Sequence, residues 1–213
     1  MMAVAIAGAM LLALVSSAVA QSPHDRALAD LHRADDTQAR RAAVRTLAAS
    51  GVMADLPVLA QALRDSDPQV RELTEAAMWE VWSRSGDAEV DALFTRGVEQ
   101  LQVRQLDDAV QTFTRIIARR PEFAEAWNKR ATAYFVLGEY QKSLADCDQV
   151  MARNPYHWGA LSGYGMIYVE LDQPGRAVEY FEKALAVNPN LTSVQQALET
   201  LKALLLQRRR EMI

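Results

Sequence analysis

Apolar residues recur every three or four positions over the last segment of the chain, about residues 193–211, which is the spacing of one face of an α-helix. The members of this stripe are Val194, Ala197, Leu198, Leu201, Leu204 and Leu205. Residues 24–86 have a helical pattern as well. Alanine and leucine dominate the apolar residues and favour helices, whereas glycine (9) and proline (7) are sparse. The pattern therefore predicts an all-α chain.

Between these two segments the pattern repeats every 34 residues. Pro121, Pro155 and Pro189 end three similar sequence segments at this spacing. A small residue precedes each proline by twelve positions and a larger one by eight: Ala109, Ser143 and Ala177, then Phe113, Cys147 and Phe181. Small residues let two antiparallel helices approach closely, and the proline ends the second helix. One such unit cannot bury both of its faces, so the units are expected to stack.

The length, order and residue sizes of this period resemble the tetratricopeptide repeat, a helix-turn-helix unit. The fullest match is WNKRATAYFVLGEYQKSLADCDQVMARNP, in which Gly138 stands between the two helices. The resemblance covers residues 90–191 and implies three repeats in a right-handed superhelical solenoid of antiparallel helix pairs. The repeats are expected at 90–123, 124–157 and 158–191. Arg104 and Asp172 replace the turn glycine in two of them, so we expect a costlier backbone conformation at these turns.

Residues 24–86 contain a shorter internal repeat, with a period of 31 residues. Its phrase DSDPQVRELTEAAMWEVW resembles a short bacterial HEAT-type repeat, in which Asp67 caps a helix and Pro68 takes the first helical position. Trp79 and Trp82 stand three residues apart on this helix, and we expect them in the core at the junction with the repeats. A cage for a ligand is the alternative.

The only linker that the sequence suggests is the short stretch at 83–87, so we expect the HEAT-like helices and the tetratricopeptide repeats to form one continuous solenoid. The helical stripe that follows the third repeat predicts a C-terminal capping helix within 192–213. Leu206 lies off that stripe, and a helix that mediates dimerisation is the alternative.

Residues 1–20 are apolar and uncharged and end in Ala18-Val19-Ala20, which fits the A-x-A pattern of a signal-peptidase site. The segment departs from that pattern because it has no Lys or Arg before its apolar stretch. We expect a signal peptide that is cleaved after Ala20, and a periplasmic or secreted protein if the source is bacterial. An uncleaved membrane anchor is the alternative, since ~20 apolar residues can span a bilayer.

The charge and the motif content argue against several classes of function. A formal net charge of −4 does not provide the broad positive field that nucleic-acid binding needs. The sequence has no zinc-protease, thiol-redox, serine-hydrolase or P-loop motif. Its single cysteine, Cys147, takes a core position of the second repeat and is expected to be a buried structural thiol. We therefore expect no enzyme, metal site, cofactor or small-molecule substrate.

The family resemblance implies that a ligand binds the concave face, which the first helix of each repeat lines. Transferred to this chain, the expected groove residues are Phe94, Val98, Leu101, Asn128, Thr132, Phe135, Val136, Met166 and Val169. Acidic residues flank this lining: Asp91, Glu125 and Glu170. The lining lacks the lysine and arginine clamp that some members use for a C-terminal carboxylate. Asn128 is the residue that we expect to bond a ligand backbone.

These features predict a non-enzymatic scaffold or adaptor that binds a protein or peptide segment, with an amphipathic helix or an extended apolar segment as the suitable ligand. Three alternatives stay open: self-association into homo-oligomers, an accessory role in a larger complex, and a groove that the protein's own helices fill. The sequence does not determine the oligomeric state.

Overall fold

The computed structural model describes residues 21–33 and 35–211; the predicted signal peptide at 1–20 lies outside them. The described residues form α-helices and one 3-10 turn, and they contain no strand. No helix among these residues has the length and apolar character that crossing a membrane requires. Four helices come first: α1 Pro23–Asp30, α2 Thr37–Ser50, α3 Leu56–Ala62 and α4 Pro68–Trp82. We call them the N-terminal block.

Three antiparallel helix pairs and one final helix follow the N-terminal block. The pairs are α5 Ala88–Gln102 with α6 Leu106–Arg119, α7 Ala124–Val136 with α8 Tyr140–Arg153, and α9 Trp158–Glu170 with α10 Pro174–Val187; the final helix is α11 Thr192–Glu211. Each helix packs on the helix that follows it, from α5 through α11. This arrangement confirms the predicted solenoid of helix pairs.

Small residues determine how closely the two helices of a pair approach. A Cβ atom added to Gly97 would lie 2.7 Å from the ring of Phe113, and one added to Gly165 would overlap the ring of Phe181. In the second pair the Oγ of Ser143 donates a hydrogen bond of 2.7 Å to the carbonyl of Ala131. These contacts place the small and large residues of the 34-residue period against each other in the core.

The turns between paired helices have the backbone conformation that the sequence predicted. Gly138 has a φ of 77°, and the residues at the equivalent positions, Arg104 and Asp172, have φ values of 59° and 51°. Left-handed conformations cost L-residues with side chains roughly 1–2 kcal/mol. The expectation of costlier turns in the first and third repeats is therefore confirmed.

Helix α11 covers the last repeat along only part of its length. Val194, Leu198 and Leu201 are buried against α10 and the neighbouring core. Beyond Leu201 the helix continues to Glu211 with exposed side chains, among them Leu206. The N-terminal half of α11 thus closes the apolar end of the stack.

Within the N-terminal block, arginine–aspartate pairs hold the helices together. The Nε of Arg40 donates to Asp65 at 2.7 Å, and the Nε of Arg41 donates to Asp67 at 3.0 Å. Asp67 also accepts the backbone N–H of Val70 at 2.9 Å, so it caps α4 as predicted. These bonds hold the pKa of Asp67 down at about 2, since hydrogen bonding to Arg41 outweighs the effect of burial.

The expected continuous solenoid is wrong, because the N-terminal block packs across the edge of the second and third repeats. Its core includes Trp158, the first residue of α9. The Nδ2 of Asn190 donates to the carbonyl of Leu63 at 2.8 Å, and Arg64 donates to that of Val187 at 3.2 Å. Trp79 is the other anchor of this contact, with its ring centroid 5.6 Å from that of Trp158.

Aromatic packing explains this position of the block. The rings of Trp79 and Trp82 meet that of Trp158, and Trp82 stacks on His157 with a centroid distance of 4.4 Å. Burial of large aromatic side chains is strongly favourable, and these partners lie at the edge of the third repeat rather than at the end of the first. The expectation that Trp79 and Trp82 belong to the junction core is confirmed.

Candidate functional site

The predicted groove residues separate into a buried and an exposed group. Phe94 is in the core of the first repeat, where its ring packs against Phe113 and Phe123 and is only 8% exposed. The prediction that Phe94 lines the groove is therefore wrong. Val98 and Leu101 pack half-buried against the same core. The first repeat thus offers little apolar surface to a ligand.

The exposed residues of the predicted groove lie in the second and third repeats. Val136 is 41% exposed, Met166 47% and Val169 42%, and Leu204 of α11 adds a side chain that is 38% exposed. We call these four residues the distal apolar patch. Leu204 was missed from the sequence, although it stands 34 residues after Glu170 and so continues the concave-face pattern into α11.

Two clefts adjoin the patch. The larger has a volume of about 390 Å³ and extends from α7 to α11. Its walls are formed by Phe135, Met166, Val169, Glu170, Phe181, Ala197, Thr200 and Leu201. The smaller, of about 140 Å³, lies between α7 and α9. Phe135 and Met166 border both, so the two clefts form one continuous groove.

The smaller cleft is deep because small residues line it. Gly159 and Gly163 of α9 face Thr132 and Ala131 of α7, and the second helix of the pair contributes Ser143 and Cys147. A Cβ atom added to Gly163 would lie 3.7 Å from the Sγ of Cys147, an ordinary contact distance. The cleft is thus of a size to hold a single apolar side chain.

Asn128 borders this cleft, and its orientation follows from a buried network. Its Nδ2 lies 3.1 Å from Oε1 and 3.2 Å from Oε2 of Glu125. An ionised carboxylate only accepts hydrogen bonds, so the amide must present its NH₂ group to Glu125. Asn128 therefore keeps its carbonyl oxygen as an acceptor for another group, and no bond to that oxygen is made within the part of the chain that the structure describes.

Glu125 is ionised although it is fully buried. Burial alone raises the pKa of its carboxyl group, but the bond from His157 and the charge of Lys129 outweigh that effect and leave the pKa below its ordinary value. The Nε2 of His157 lies 2.7 Å from Oε2, and the Nζ of Lys129 lies 3.0 Å from Oε1. These contacts satisfy both oxygens of the carboxylate.

The N-terminal block covers the other end of the groove. The Nζ of Lys129 lies 5.5 Å from the centroid of the Trp79 ring, and a Cβ atom added to Gly159 would lie 3.0 Å from that ring. The concave positions at Glu125 and Gly159 are thereby shielded, whereas Thr132, Val136 and Met166 stay exposed. The groove is filled from within at one end and open at the other.

Acidic groups border the open end. Glu170 lines the larger cleft and accepts a hydrogen bond of 3.3 Å from the hydroxyl of Tyr140, and no cation pairs with it among the described residues. Asp172 in the adjacent turn lies 3.4 Å from Arg208. The open end therefore presents apolar side chains next to an uncompensated negative charge.

The two remaining candidates for a functional site are the thiol of Cys147 and metal-ligating side chains. Cys147 is buried, and burial raises the pKa of its thiol to about 12, so the nucleophilic thiolate does not form near neutral pH. No group of three or more His, Cys, Asp or Glu side chains in the described ranges is arranged to hold a metal ion.

Comparison with known proteins identifies the repeats. Tetratricopeptide repeat models match residues 94–157 and 158–191. A TPR repeat-containing protein of Rhizobium etli is 28% identical over 144 residues, which are 68% of this chain and 71% of that protein. Mouse tetratricopeptide repeat protein 12 is 28% identical over 101 residues, 47% of this chain, but this match spans only 14% of the mouse protein.

Solved structures share the fold. The first TPR domain of Spaghetti (RPAP3) bound to the HSP90 peptide SRMEEVD superposes with a TM-score of 0.53 at 23% identity, over 55% of this chain and 93% of that one. The Sgt2 TPR domain of Aspergillus fumigatus gives 0.55 at 22% identity, over 58% of this chain and 83% of that one. Neither family model reaches the N-terminal block, whose likeness to HEAT repeats stays a prediction. Residues 94–191 are therefore tetratricopeptide repeats, set in an all-helical solenoid.

Proposed function

We propose that this protein is a non-enzymatic interaction scaffold that binds a segment of another protein at the distal apolar patch. The exposure of Val136, Met166, Val169 and Leu204, at positions that line the concave face in the tetratricopeptide family, carries the proposal. Met166 and Val169 share the wall of the larger cleft, and large contiguous apolar surface is rare on monomeric proteins outside interaction sites. Tetratricopeptide domains of known structure hold peptides in complexes, as in the RPAP3 domain, which supports a peptide or protein as the ligand class.

The charge at the groove indicates a different ligand from that of the RPAP3 domain. The peptide SRMEEVD carries three acidic side chains and a C-terminus. In this chain the open end presents the unpaired carboxylate of Glu170, and no lysine or arginine lines the two clefts. The matching segment is apolar with basic flanks, so that a cation reaches Glu170 while an apolar side chain enters the cleft beside Asn128. The Asn128 oxygen accepts a backbone N–H of that segment.

Affinity capture with crosslinking tests this function. The chain from Gln21 is the bait for the extract of its own cells, beside a Val136→Asp/Met166→Asp variant. Val103→Asp is the matched control, because Val103 is 65% exposed outside the patch. We expect one protein to be captured by the native and control baits and lost by the double variant. Its segment crosslinked near α9 should be apolar with flanking Lys or Arg.

Two outcomes would contradict the proposal. Equal capture by all three baits would show that binding occurs away from the patch. Crosslinks from an acidic segment would retain the groove as the site but reject the proposed ligand chemistry. Export belongs to the same proposal, and N-terminal sequencing of the protein from its own cells should give a chain that begins at Gln21.

Self-association is the second candidate, because the C-terminal end of α11 is exposed. Leu206 is 56% exposed and lies beside Lys202 and Arg208 in the last turns of the helix. Sedimentation equilibrium with the native chain and a Leu206→Glu variant tests it. A native monomer at all concentrations would exclude this candidate and leave the scaffold role.

A further inference from the structure

A third cleft, separate from the groove, lies where the N-terminal block meets the second repeat. It has a volume of about 140 Å³. We call it the junction cleft, and its main walls are Met53, Trp82, Arg84, Phe123, Ala124 and Asn154. Because residues of both units form it, a ligand here would contact the N-terminal block and the repeats together.

Two buried hydrogen-bond donors at this cleft lack partners. Neither the indole N–H of Trp82 nor the side-chain NH₂ of Asn154 finds an acceptor among the described residues, and both residues are more than nine-tenths buried. The oxygen of the Asn154 amide accepts the backbone N–H of Tyr156 at 3.1 Å, which orients its NH₂ group away from that turn. An unpaired buried donor has lost its hydrogen bond to water without a replacement, so buried donors are normally satisfied.

One cation, Arg84, lines the cleft. Arg84 donates to the backbone carbonyls of Ala48, Ala49 and Gly51, and it pairs with no carboxylate in the described ranges. These bonds hold the guanidinium at the cleft without neutralising its charge. A cation fixed in this way attracts an anion to the adjoining space.

Helix α7 adds to the positive potential. It begins at Ala124 in the cleft wall, and its N-cap, Phe123, has no side chain that could accept a hydrogen bond. The N-terminus of a helix carries roughly half a positive charge and binds anions through its free N–H groups. Trp82 and Asn154, whose side-chain donors are unpaired, line the same cleft as this uncapped helix end.

Two of the carboxylates near the cleft are compensated by cations. Glu122 lies at its edge, and its Oε1 is 3.3 Å from the Nε of Arg120. Glu125, in the first turn of α7, is paired with Lys129 and bonded to His157. A third carboxylate, Asp91, accepts hydrogen bonds from the backbone N–H and the hydroxyl of Ser85, another wall residue, and has no cation partner among the described residues. Arg84 is the cation in the cleft wall itself.

From these observations we infer that the junction cleft is a binding site for a carboxylate with a short apolar tail. A carboxylate accepts several hydrogen bonds at each oxygen, so it satisfies the Trp82 and Asn154 donors and caps α7. Met53, Phe123 and Ala124 provide apolar walls for the tail. The site is independent of the distal apolar patch and does not rest on the proposed function.

Titration with butyrate tests the site in the chain from Gln21, followed through the tryptophan indole N–H resonances. The Trp82 signal is identified by its loss in a Trp82→Phe variant. We expect sodium butyrate to shift this signal saturably. Butylammonium chloride at the same ionic strength, which has the same tail and the opposite charge, should leave it in place. If both ions move the signal equally, or if neither moves it, the site does not exist.

Two exposed neighbours provide a matched pair of variants. Met53 lines the cleft, whereas Val52 beside it does not, and both side chains are exposed. Met53→Glu adds a carboxylate at the mouth and should weaken butyrate binding roughly tenfold by like-charge repulsion. Val52→Glu adds the same charge outside the cleft and should change binding less than twofold. Equal effects of the two variants would overturn the inference.

A second titration, with a peptide, distinguishes two classes of natural ligand: the C-terminus of a protein chain and a small free carboxylate. The tetrapeptide acetyl-Gly-Gly-Gly-Val is titrated with a free C-terminus and as its amide. If the free acid binds at least as tightly as butyrate and the amide does not bind, the natural ligand is the end of a protein chain. If butyrate alone binds, it is a small free carboxylate. Either result supports the site, and binding of the amide as tight as that of the acid would contradict it.

Discussion

The Nε2 of His157 lies 2.7 Å from Oε2 of Glu125, and neither side chain is reached by solvent. The Nδ1 of the same ring accepts the backbone N–H of Ala160 at 3.0 Å, so the proton resides on Nε2 and points at the carboxylate. The ring also stacks on Trp82. One side chain thus caps α9, orients Glu125 in α7 and supports the N-terminal block.

Replacing His157 should therefore be costly to stability. In His157→Leu the carboxylate of Glu125 loses a donor while it stays buried, and α9 loses its cap. We expect the free energy of unfolding to fall by about 3 kcal/mol, measured by urea denaturation. His32→Leu is the control, since His32 is exposed and should change stability by less than about 0.5 kcal/mol. A loss below about 1 kcal/mol for His157→Leu would contradict this role.

Stability should decrease in acid because of the same carboxylate. The pKa of Glu125 in the folded protein is below its ordinary value of 4.5, so between these values the unfolded chain binds more protons than the folded one. Its contribution is thus complete above pH 4.5 and is lost as the pH falls below that value. We expect the urea midpoint to fall between pH 5 and pH 3, and to fall less in Glu125→Gln.

Asp67 provides a second acid-sensitive contribution that can be separated from the first. Its pKa is lowered from 3.8 to about 2, chiefly by Arg41, so the loss of its contribution begins only below pH 3.8, whereas that of Glu125 begins at pH 4.5. Asp67→Asn should leave the decline above pH 4 intact. If Glu125→Gln has the same pH dependence as the native chain, the Glu125 interpretation is wrong.

Close helix packing in the third repeat predicts a steric effect. A Cβ atom on Gly165 would overlap the ring of Phe181, so Gly165→Ala should lower the free energy of unfolding by about 1–3 kcal/mol. Gly175→Ala is the matched control, because no atom lies within 4 Å of its added Cβ and α10 gains a better helix former. We expect that variant to be more stable by about 0.4–1 kcal/mol. Denaturation midpoints that move in the same direction would contradict the packing argument.

The repeat pattern predicted contacts between neighbours in sequence and failed for contacts between distant segments. The pairing of Gly165 with Phe181 recurs in every unit as a small and a large residue, so the period reveals it. The contact of Trp79 with Trp158 occurs once and joins segments that are far apart in the chain, so no period indicates it. For this reason the solenoid could be predicted and the position of the N-terminal block could not.

The candidate site was predictable to the same extent. The family resemblance, carried along the 34-residue register, implied that Val136, Met166 and Val169 are concave residues, and it would have implied the same of Leu204 if it had been continued into α11. It could not show that Phe94 turns into the core, because that depends on Phe113 and Phe123 filling the space behind it. It also could not show that the carboxylate of Glu125 fixes the orientation of Asn128.

The turn of the first repeat offers a test of backbone strain. Arg104 has a φ of 59° in the position where the second repeat has Gly138, and glycine adopts this conformation without the steric cost of a Cβ atom. Arg104 makes no ion pair or side-chain hydrogen bond among the described residues, so its replacement removes no such contact. Arg104→Gly should therefore stabilise the chain by about 1 kcal/mol, after the greater flexibility of glycine in the unfolded chain is subtracted.

The reverse change, Gly138→Ala, should destabilise it by a similar amount, since nothing surrounds the added Cβ and only the φ of 77° opposes it. Thermal unfolding measures the stability of both variants. A loss of stability in Arg104→Gly would show that the arginine side chain stabilises the turn by more than its left-handed backbone costs.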